Sequence, residues 1–216
     1  MDGQTIQARI LAGRGKAAAR IGLPCAVYRP KSVMSPLSKQ ITIINAAFNA
    51  ADNNYIKPNL YGKAVWFGDY DGRITETGDY LVRQSDGAIW FIAAQQQLLP
   101  LVCVNCSRSV RIERQPCGGS SVGVTNYSGQ ADPTPLLGNK DTPWPASVLI
   151  GGRVEASIGL PGGVREAAWS ILLPPSVPCV IRSGDIAIDD LGRRMAIYAA
   201  ELTDLGWRLT ATEVHT

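Results

Sequence analysis

A Gly-Asp dipeptide occurs twice in the chain, at Gly78-Asp79 and at Gly184-Asp185, and each copy begins the same longer pattern. A short apolar segment follows, then a turn that contains a glycine, then a second apolar segment that ends in Ala-Ala. The two copies lie about 106 residues apart, and self-similarity at a fixed separation indicates one supersecondary unit used twice. A chance likeness between two β-meanders remains open, since strands and glycine turns recur at similar spacing in all-β proteins.

The same separation carries further apolar segments of the first half onto segments of the second half. Residues 64–67 align with residues 170–173, and residues 101–104 align with residues 207–210. Short apolar runs bounded by turn residues are typical of β-strands. The sequence therefore predicts a mainly β protein with two similar small β-barrel or sandwich units and an N-terminal helical arm.

Composition divides the chain into four predicted regions. We expect an N-terminal helix and extended arm at 1–40 and a first β unit at 41–115. Residues 116–145 are rich in Gly and Pro and lack apolar periodicity, which is typical of a loop or linker. A second β unit is expected at 146–216.

The overall composition is that of a globular protein. The chain has 216 residues, 45% of them hydrophobic, and a formal net charge of only +3. This charge is too small to favour nucleic-acid binding as the main activity. No apolar run reaches the length of about 20 residues that a membrane span requires. The first residues lack the basic and apolar regions of a secretory signal, so we expect synthesis in a cytoplasm and no contact with a membrane.

The sequence offers little for catalysis or metal binding. The chain has one histidine, His215, next to the C-terminus, where a general base would lack a fixed position. Cys103 and Cys106 have the spacing of half a zinc site, but no second close pair of ligands completes it. The Asp189-Asp190 and Asp69-Asp71 pairs stand beside glycines, where aspartate commonly binds the backbone of a turn. We therefore expect no enzyme, no metal and no cofactor; a metal enzyme that uses these aspartates is the least favoured of three hypotheses.

A helix is predicted from residue 4 to residue 21. Its apolar residues Ile6, Ile10, Ala17 and Ile21 share one face, and its basic residues Arg9, Lys16 and Arg20 form a neighbouring stripe. Such a helix needs a partner surface, and two interpretations remain open: packing on its own domain, or docking on another protein. Trp144, between two prolines, is a further candidate anchor, although a tryptophan more often packs in its own domain. The candidate docking residues are Ile6, Arg9, Ile10, Lys16, Arg20 and Trp144.

The second Gly-Asp segment carries a family resemblance. Ile181 to Asp185, a turn at residues 190–193 and the apolar strand after it resemble a short pattern in the head-tail joining proteins of tailed bacteriophages. The resemblance is clearest over residues 168–212 and extends more weakly to residues 63–113. It implies a small β-barrel protein of the neck without catalytic residues, such as a stopper, collar or connector.

The resemblance also implies partners and a location. We expect a structural virion protein that forms a homo-oligomeric ring and joins the portal and capsid to the tail. Its neighbours would be a portal or adaptor protein and a tail or tail-terminator protein, with non-specific contact to packaged DNA. The protein would be assembled in the host cytoplasm and reside at the head-tail interface of the virion.

A binding module is the alternative. The aromatic residues Tyr61, Trp66, Tyr70 and Tyr80 lie close together in the sequence and could form a stacking surface for an oligonucleotide or a carbohydrate. Against this hypothesis, no basic groove accompanies them, and several are expected to lie in the core.

Overall fold

The computed structural model describes residues 2–50, 62–115, 133–153 and 167–214. Within these residues the protein is mainly β, as predicted, with one helix at the N-terminus. The helix is α1 (Gly3–Ile21). The strands are β1 (Leu23–Tyr28), β2 (Gln40–Asn49), β3 (Val65–Asp69), β4 (Tyr80–Arg83), β5 (Ile89–Ala94), β6 (Leu101–Cys106), β7 (Arg108–Arg114), β8 (Thr134–Leu137), β9 (Trp144–Arg153), β10 (Ala167–Leu173), β11 (Ile186–Asp189), β12 (Arg194–Thr203) and β13 (Gly206–Glu213).

The first six strands form a closed antiparallel barrel in the order β1-β2-β3-β6-β5-β4, and β1 pairs with β4 to close it. Alternate side chains point inward, as the period of a strand requires. The inward side chains form a compact apolar core. Its largest members include Tyr70, Leu81, Trp90, Ile92 and Leu101.

Helix α1 packs against this barrel, next to β2 and β3. It begins at Asp2, whose carboxylate accepts a hydrogen bond of 2.8 Å from the Thr5 amide. This bond lowers the pKa of Asp2, since it favours the charged form. The helix ends at Gly22, and Pro24 in the following strand cannot donate a helical hydrogen bond.

The remaining seven strands form a second sheet in the order β11-β12-β13-β10-β9-β7-β8. β7 also pairs with β11, from Val110 to Glu113, so the pairing returns to its first strand. Six of these strands thus make a circuit, β7-β9-β10-β13-β12-β11, and β8 joins it at the end of β7. When β8 is left out and the six strands of each circuit are numbered along the chain, both circuits have the same order of neighbours, 1-2-3-6-5-4.

The two Gly-Asp turns also have matching backbone bonds. The amide of Gly78 donates to the Ile92 carbonyl and the amide of Gly184 donates to the Ile197 carbonyl, each over 2.8 Å. The φ angles of the two glycines are 94° and 92°. Only glycine adopts such angles readily, which explains its presence at both positions.

Strand membership differs from the predicted regions in three places. β1, inside the expected arm at 1–40, is a barrel strand between β2 and β4. β7, inside the expected first unit, belongs to the second sheet because its alternating Val110 and Ile112 face that core. β8 and the start of β9 fall within the expected linker, of which residues 116–132 lie outside the described part of the chain.

A shared apolar core joins the barrel to the second sheet. Tyr80 of β4 is fully buried and makes edge-to-face contacts with Phe91 and Trp144, at centroid distances of 6.3 and 6.2 Å. Its hydroxyl donates to the Pro145 carbonyl over 2.8 Å. The two sheets therefore bury apolar surface against each other.

Candidate interaction surface

Helix α1 packs on the barrel through a face that combines one leucine with polar and small residues. Leu11 packs on the barrel core and Ala18 is fully buried. Between them, Arg14 Nη1 lies 2.7 Å from Oδ1 of the buried Asp69. Gly15 passes so close to Asp71 that an added Cβ would lie 2.9 Å from the Asp71 Cβ. This face lets the helix approach the barrel closely.

The predicted apolar face of α1 lies beside the face that packs on the barrel, and most of it is exposed. Ile6 is 38% exposed and Ile21 is 53% exposed. Ala17 is exposed and Ile10 is half-buried. We call these four residues the apolar ridge. The helix thus packs on its own barrel, as one interpretation expected, but it uses a different face and leaves the apolar ridge uncovered by the described residues.

Positive charge borders the apolar ridge. Arg9, Lys16 and Arg20 are exposed and occupy the neighbouring stripe of the helix, as the sequence predicts. Arg20 lies in the last turn, where a cation interacts favourably with the helix dipole. An apolar ridge with a basic edge remains the candidate docking element.

Trp144 is not exposed, so the prediction that it is a docking residue is wrong. Its side chain is fully buried in the shared core, and its indole Nε1 donates to the Val33 carbonyl over 2.6 Å. An anchor for another protein has to be exposed before binding, and the prolines on either side do not make this residue so. Trp144 instead fixes the segment after β1 to the start of β9.

Two buried ion pairs lie behind the Gly-Asp turns. Arg29 binds both oxygens of Asp79, through Nε and Nη2, over 2.8 Å each. Arg114 binds both oxygens of Asp185 through the same two nitrogens, over 2.7 and 2.9 Å. Both carboxylates have 2% exposed side chains. Hydrogen bonds to Asp79 raise the pKa of Arg29, because they favour the charged guanidinium.

Each carboxylate also closes the turn in front of it. The amide of Glu76 donates to Asp79 Oδ2 over 2.9 Å, and the amide of Arg182 donates to Asp185 Oδ2 over 2.8 Å. We call the Arg29–Asp79 and Arg114–Asp185 pairs, with these turn bonds, the first and second clasps. Sequence reasoning found the aspartates through the repeat but missed the arginines, because Arg29 and Arg114 lie closer together in sequence than the dipeptides do.

One end of the barrel opens into a concave, aromatic-lined mouth of about 440 Å³. Phe48 and Trp90 stack there at a centroid distance of 4.0 Å, and the Arg83 guanidinium lies 4.8 Å from the Trp90 ring centre. The Trp90 side chain is almost completely buried, yet its Nε1–H has no acceptor among the described residues. The mouth is also lined by Ile21, Leu23, Ala46, Ala47, Asn49, Trp66, Ala88 and Asn105.

The predicted stacking surface does not form as such. Tyr70 and Tyr80 are both fully buried in apolar clusters, where burial raises the pKa of each hydroxyl. Trp66 does line the barrel mouth, and Tyr61 lies outside the described residues. Among the described residues, Trp66 shares a concave surface with Phe48 and Trp90, two aromatic residues that the sequence clustering did not select.

The cysteines sit in apolar surroundings. Cys103 lies in the barrel core and Cys106 packs on the shared core, so their side chains leave opposite faces of β6. Burial raises the pKa of Cys103 to about 12. Within the described residues, no group of three or more His, Cys, Asp or Glu could hold a metal ion. Cys117 and His215 are not among those residues.

The aspartate pairs have different roles. Asp189 Oδ1 accepts the amides of Leu191 and Arg193 over 3.0 and 2.9 Å, which is the predicted turn chemistry. Asp69 instead binds Arg14 of α1. Both carboxylates therefore have structural partners.

No protein-family model matches the chain. The curated proteins include no match to it either. In the part of the chain that the structure describes, no helix is long and apolar enough to cross a membrane.

Proposed function

We propose that the protein is a structural subunit that assembles with copies of itself, built from two copies of one β-barrel module. The observation that carries the proposal is the orientation of α1. The helix binds its own barrel through Leu11, Arg14 and Ala18 and turns its apolar ridge to solvent. An apolar surface with a charged border is typical of a protein–protein contact site.

The module proposal rests on the two clasps. Arginine binds a buried aspartate with the same two nitrogens in each, and the aspartate accepts an amide three residues before it. Each clasp stands behind a Gly-Asp turn at the same place in a six-strand circuit. Agreement in connectivity, turn geometry and a buried ion pair favours duplication over a chance likeness of two meanders. In this proposal β8 is an insertion and α1 an addition.

The biological setting comes from the sequence resemblance. A self-assembling pair of β modules suits the neck of a tailed bacteriophage, where a ring would join the portal and capsid to the tail. The ring would contact a portal or adaptor protein on one side and a tail or tail-terminator protein on the other. Arginine and lysine side chains that face the channel would contact packaged DNA non-specifically.

The test of self-assembly is the molar mass of the full chain in solution. Size-exclusion chromatography with light scattering should give one defined multimer whose share rises with concentration. Ile6→Gln combined with Ala17→Gln should reduce that share, because both residues lie on the apolar ridge. Ala19→Gln, on another face of the same helix, is the matched control. A monomer at every concentration would contradict the proposal.

Point substitutions are preferable to deletion of the helix. Leu11 and Arg14 belong to the packing of the barrel, so removal of α1 would expose the core and remove the Arg14 guanidinium from the carboxylate of Asp69. The phage setting is tested separately, by deletion of the gene in its phage. Electron microscopy should then show filled heads and separate tails, and added protein should join them.

A β-rich binding module is the second candidate, and the barrel mouth favours it. Stacked Phe48 and Trp90, with Arg83 over the ring, resemble the surfaces that hold planar ligands. Quenching of tryptophan fluorescence by oligosaccharides or single-stranded oligonucleotides would support this candidate. It would be lost on Trp66→Ala, which removes part of the surface. Absence of quenching by both ligands would exclude it.

A further inference from the structure

The loop after β5 presents two leucines to solvent. Leu98 and Leu99 are 51% and 52% exposed, and we call them the knob. The φ angle of Leu98 is +62°, a left-handed conformation that is unfavourable for a leucine. The helix holds this conformation, because the Leu98 amide donates to the side-chain oxygen of Gln7 over 2.6 Å. Strained backbone that exposes an apolar side chain is a sign of function.

An acidic and apolar surface continues from the knob. Gln96, beside it in the loop, donates a long hydrogen bond of 3.5 Å to Asp204 in the β12–β13 turn. Leu202 and Leu205 are 57% and 41% exposed on either side of Asp204, and Glu201 is exposed as well. The knob therefore stands beside exposed apolar residues and the carboxylate of Asp204, whereas Glu201 lies opposite Arg208 in the ladder of β12 and β13.

The barrel mouth lies at the opposite end of the first barrel. Ala88 and Trp90 line it at the start of β5 and Asn105 lines it at the end of β6. The knob is in the loop that joins the other ends of these strands. A six-residue strand spans about 20 Å, so a chain cannot place its own knob in its own mouth.

The surroundings of the mouth complement those of the knob. Its wall is mainly apolar, with Arg83, Asn49 and Asn105 as polar members, and the exposed Leu23 and Ile21 extend it at the rim. Lys16 and Arg20 of α1 lie on the last turns before that rim. The buried indole N–H of Trp90 lacks an acceptor within the described residues.

We propose that the knob of one copy inserts into the barrel mouth of the next copy. The inference rests on the proposed self-assembly and names a contact in it besides the apolar ridge. Leucines enter an aromatic-lined cavity, while Asp204 approaches Lys16 and Arg20 of the neighbour. Because the two surfaces differ, the contact is head-to-tail, and its repetition closes a ring where the rotation permits.

Two variants with different defects test the contact by sedimentation. Leu98→Asn with Leu99→Gln removes the knob but keeps the mouth, and asparagine tolerates the left-handed backbone. Leu23→Glu leaves the knob intact and places a negative charge at the mouth, against the acidic surface. Each variant alone should associate at least about tenfold more weakly than the wild type, given the apolar area lost.

Mixing the two variants distinguishes a head-to-tail contact from a symmetric one. One intact knob and one intact mouth remain in the mixture, so the variants should form a heterodimer although each alone is monomeric. Leu191→Asn changes an equally exposed leucine in the β11–β12 turn and should assemble normally. Unchanged thermal unfolding of all variants verifies that they fold.

The outcomes separate this contact from the proposed function. If the wild type assembles and the knob and mouth variants assemble equally well, the contact is overturned and self-assembly stands. The same holds if the mixture stays monomeric, since the two defects then do not complement each other. If the wild type assembles but the mouth binds only an oligosaccharide or oligonucleotide, the contact alone is overturned. If the wild type is monomeric at every concentration, both proposals are overturned.

Discussion

The two clasps hold similar turns in different surroundings. In the first, Arg29 also reaches Glu76, whose side chain is 67% exposed. In the second, Arg114 donates instead to the Val180 carbonyl. The aspartates themselves are equally buried and make the same backbone contacts. The invariant part of the arrangement is thus the guanidinium, the carboxylate and the turn amide.

The cores behind the clasps differ more than the clasps do. The first barrel encloses a core of its own, on which α1 packs. The second sheet contributes most of the shared core, and the outward side of the first barrel completes it. The comparison indicates that a unit can exchange its packing neighbours while the polar contact that sets the turn remains. It also gives pairs of matched substitutions, one in each unit.

The largest expected effect is the loss of a clasp arginine. Arg29→Met and Arg114→Met each leave a buried carboxylate without its cation, and each should lower the free energy of unfolding by about 3 kcal/mol. Urea denaturation measures both. Arg73→Met removes an exposed partner of Asp71 and should leave the free energy of unfolding nearly unchanged. Unequal losses of stability for Arg29→Met and Arg114→Met would show that the two clasps do not contribute equally.

Replacement of the two turn glycines, Gly78 and Gly184, by alanine should give unequal losses of stability. Gly184→Ala forces a residue with a Cβ into positive φ, which costs about 1–2 kcal/mol, and no atom lies within 4 Å of that Cβ. Gly78→Ala carries the same cost and brings the Cβ to 2.5 Å from the Ser176 Cβ. Thermal unfolding should therefore show the greater loss for Gly78→Ala. An equal loss would mean that the contact with Ser176 relaxes freely.

The two tryptophans make a smaller comparison. Trp144→Phe removes a buried hydrogen bond to Val33, whereas Trp90→Phe removes an N–H that has no acceptor in the described part of the chain. Denaturation of the dilute protein should show that Trp144→Phe costs about 1 kcal/mol more. Similar losses of stability would indicate that the Trp90 Nε1–H already has a hydrogen-bond acceptor in the monomer.

The smallest effect concerns an ion pair at the β4–β5 turn, where Asp86 binds Arg83. Hydrogen bonds from Arg83 and Ala88 lower the pKa of Asp86 to about 2. Because the pKa of Asp86 is lower in the folded protein, its ionised form stabilises the fold at pH values above the unfolded pKa, near 4. This stabilisation disappears as the pH falls through about 2. Asp86→Asn should thus be slightly less stable than the wild type at neutral pH and equally stable at the acid limit. A difference that persists there would point to another cause.

Much of the fold could be predicted because its signals are local. The helix at 3–21, the strands around the Gly-Asp turns and the alternation of Trp207, Leu209 and Ala211 all follow from side-chain periodicity. β2 continues as one strand to Asn49, although its Ala-rich end is by sequence compatible with a strand or a helix. Its pairing with β1 and β3 decided between them, which is a tertiary effect.

The interaction surface was harder to predict because it depends on which face of α1 is buried. Periodicity identified Ile6, Ile10, Ala17 and Ile21 as one face, but an apolar face is normally the inward one. The close approach at Gly15 and the Arg14–Asp69 pair instead turn a neighbouring side of the helix to the barrel. The barrel mouth depends on six strands that meet only in the folded protein, so no local pattern marks it.

Electron cryomicroscopy of the assembled protein tests the account most directly. The predicted map shows identical subunits joined head-to-tail, with residues 96–99 of one copy in the barrel mouth of the next and both clasps intact. A monomer in solution, or a symmetric dimer in which the same surface of both copies meets, would contradict it.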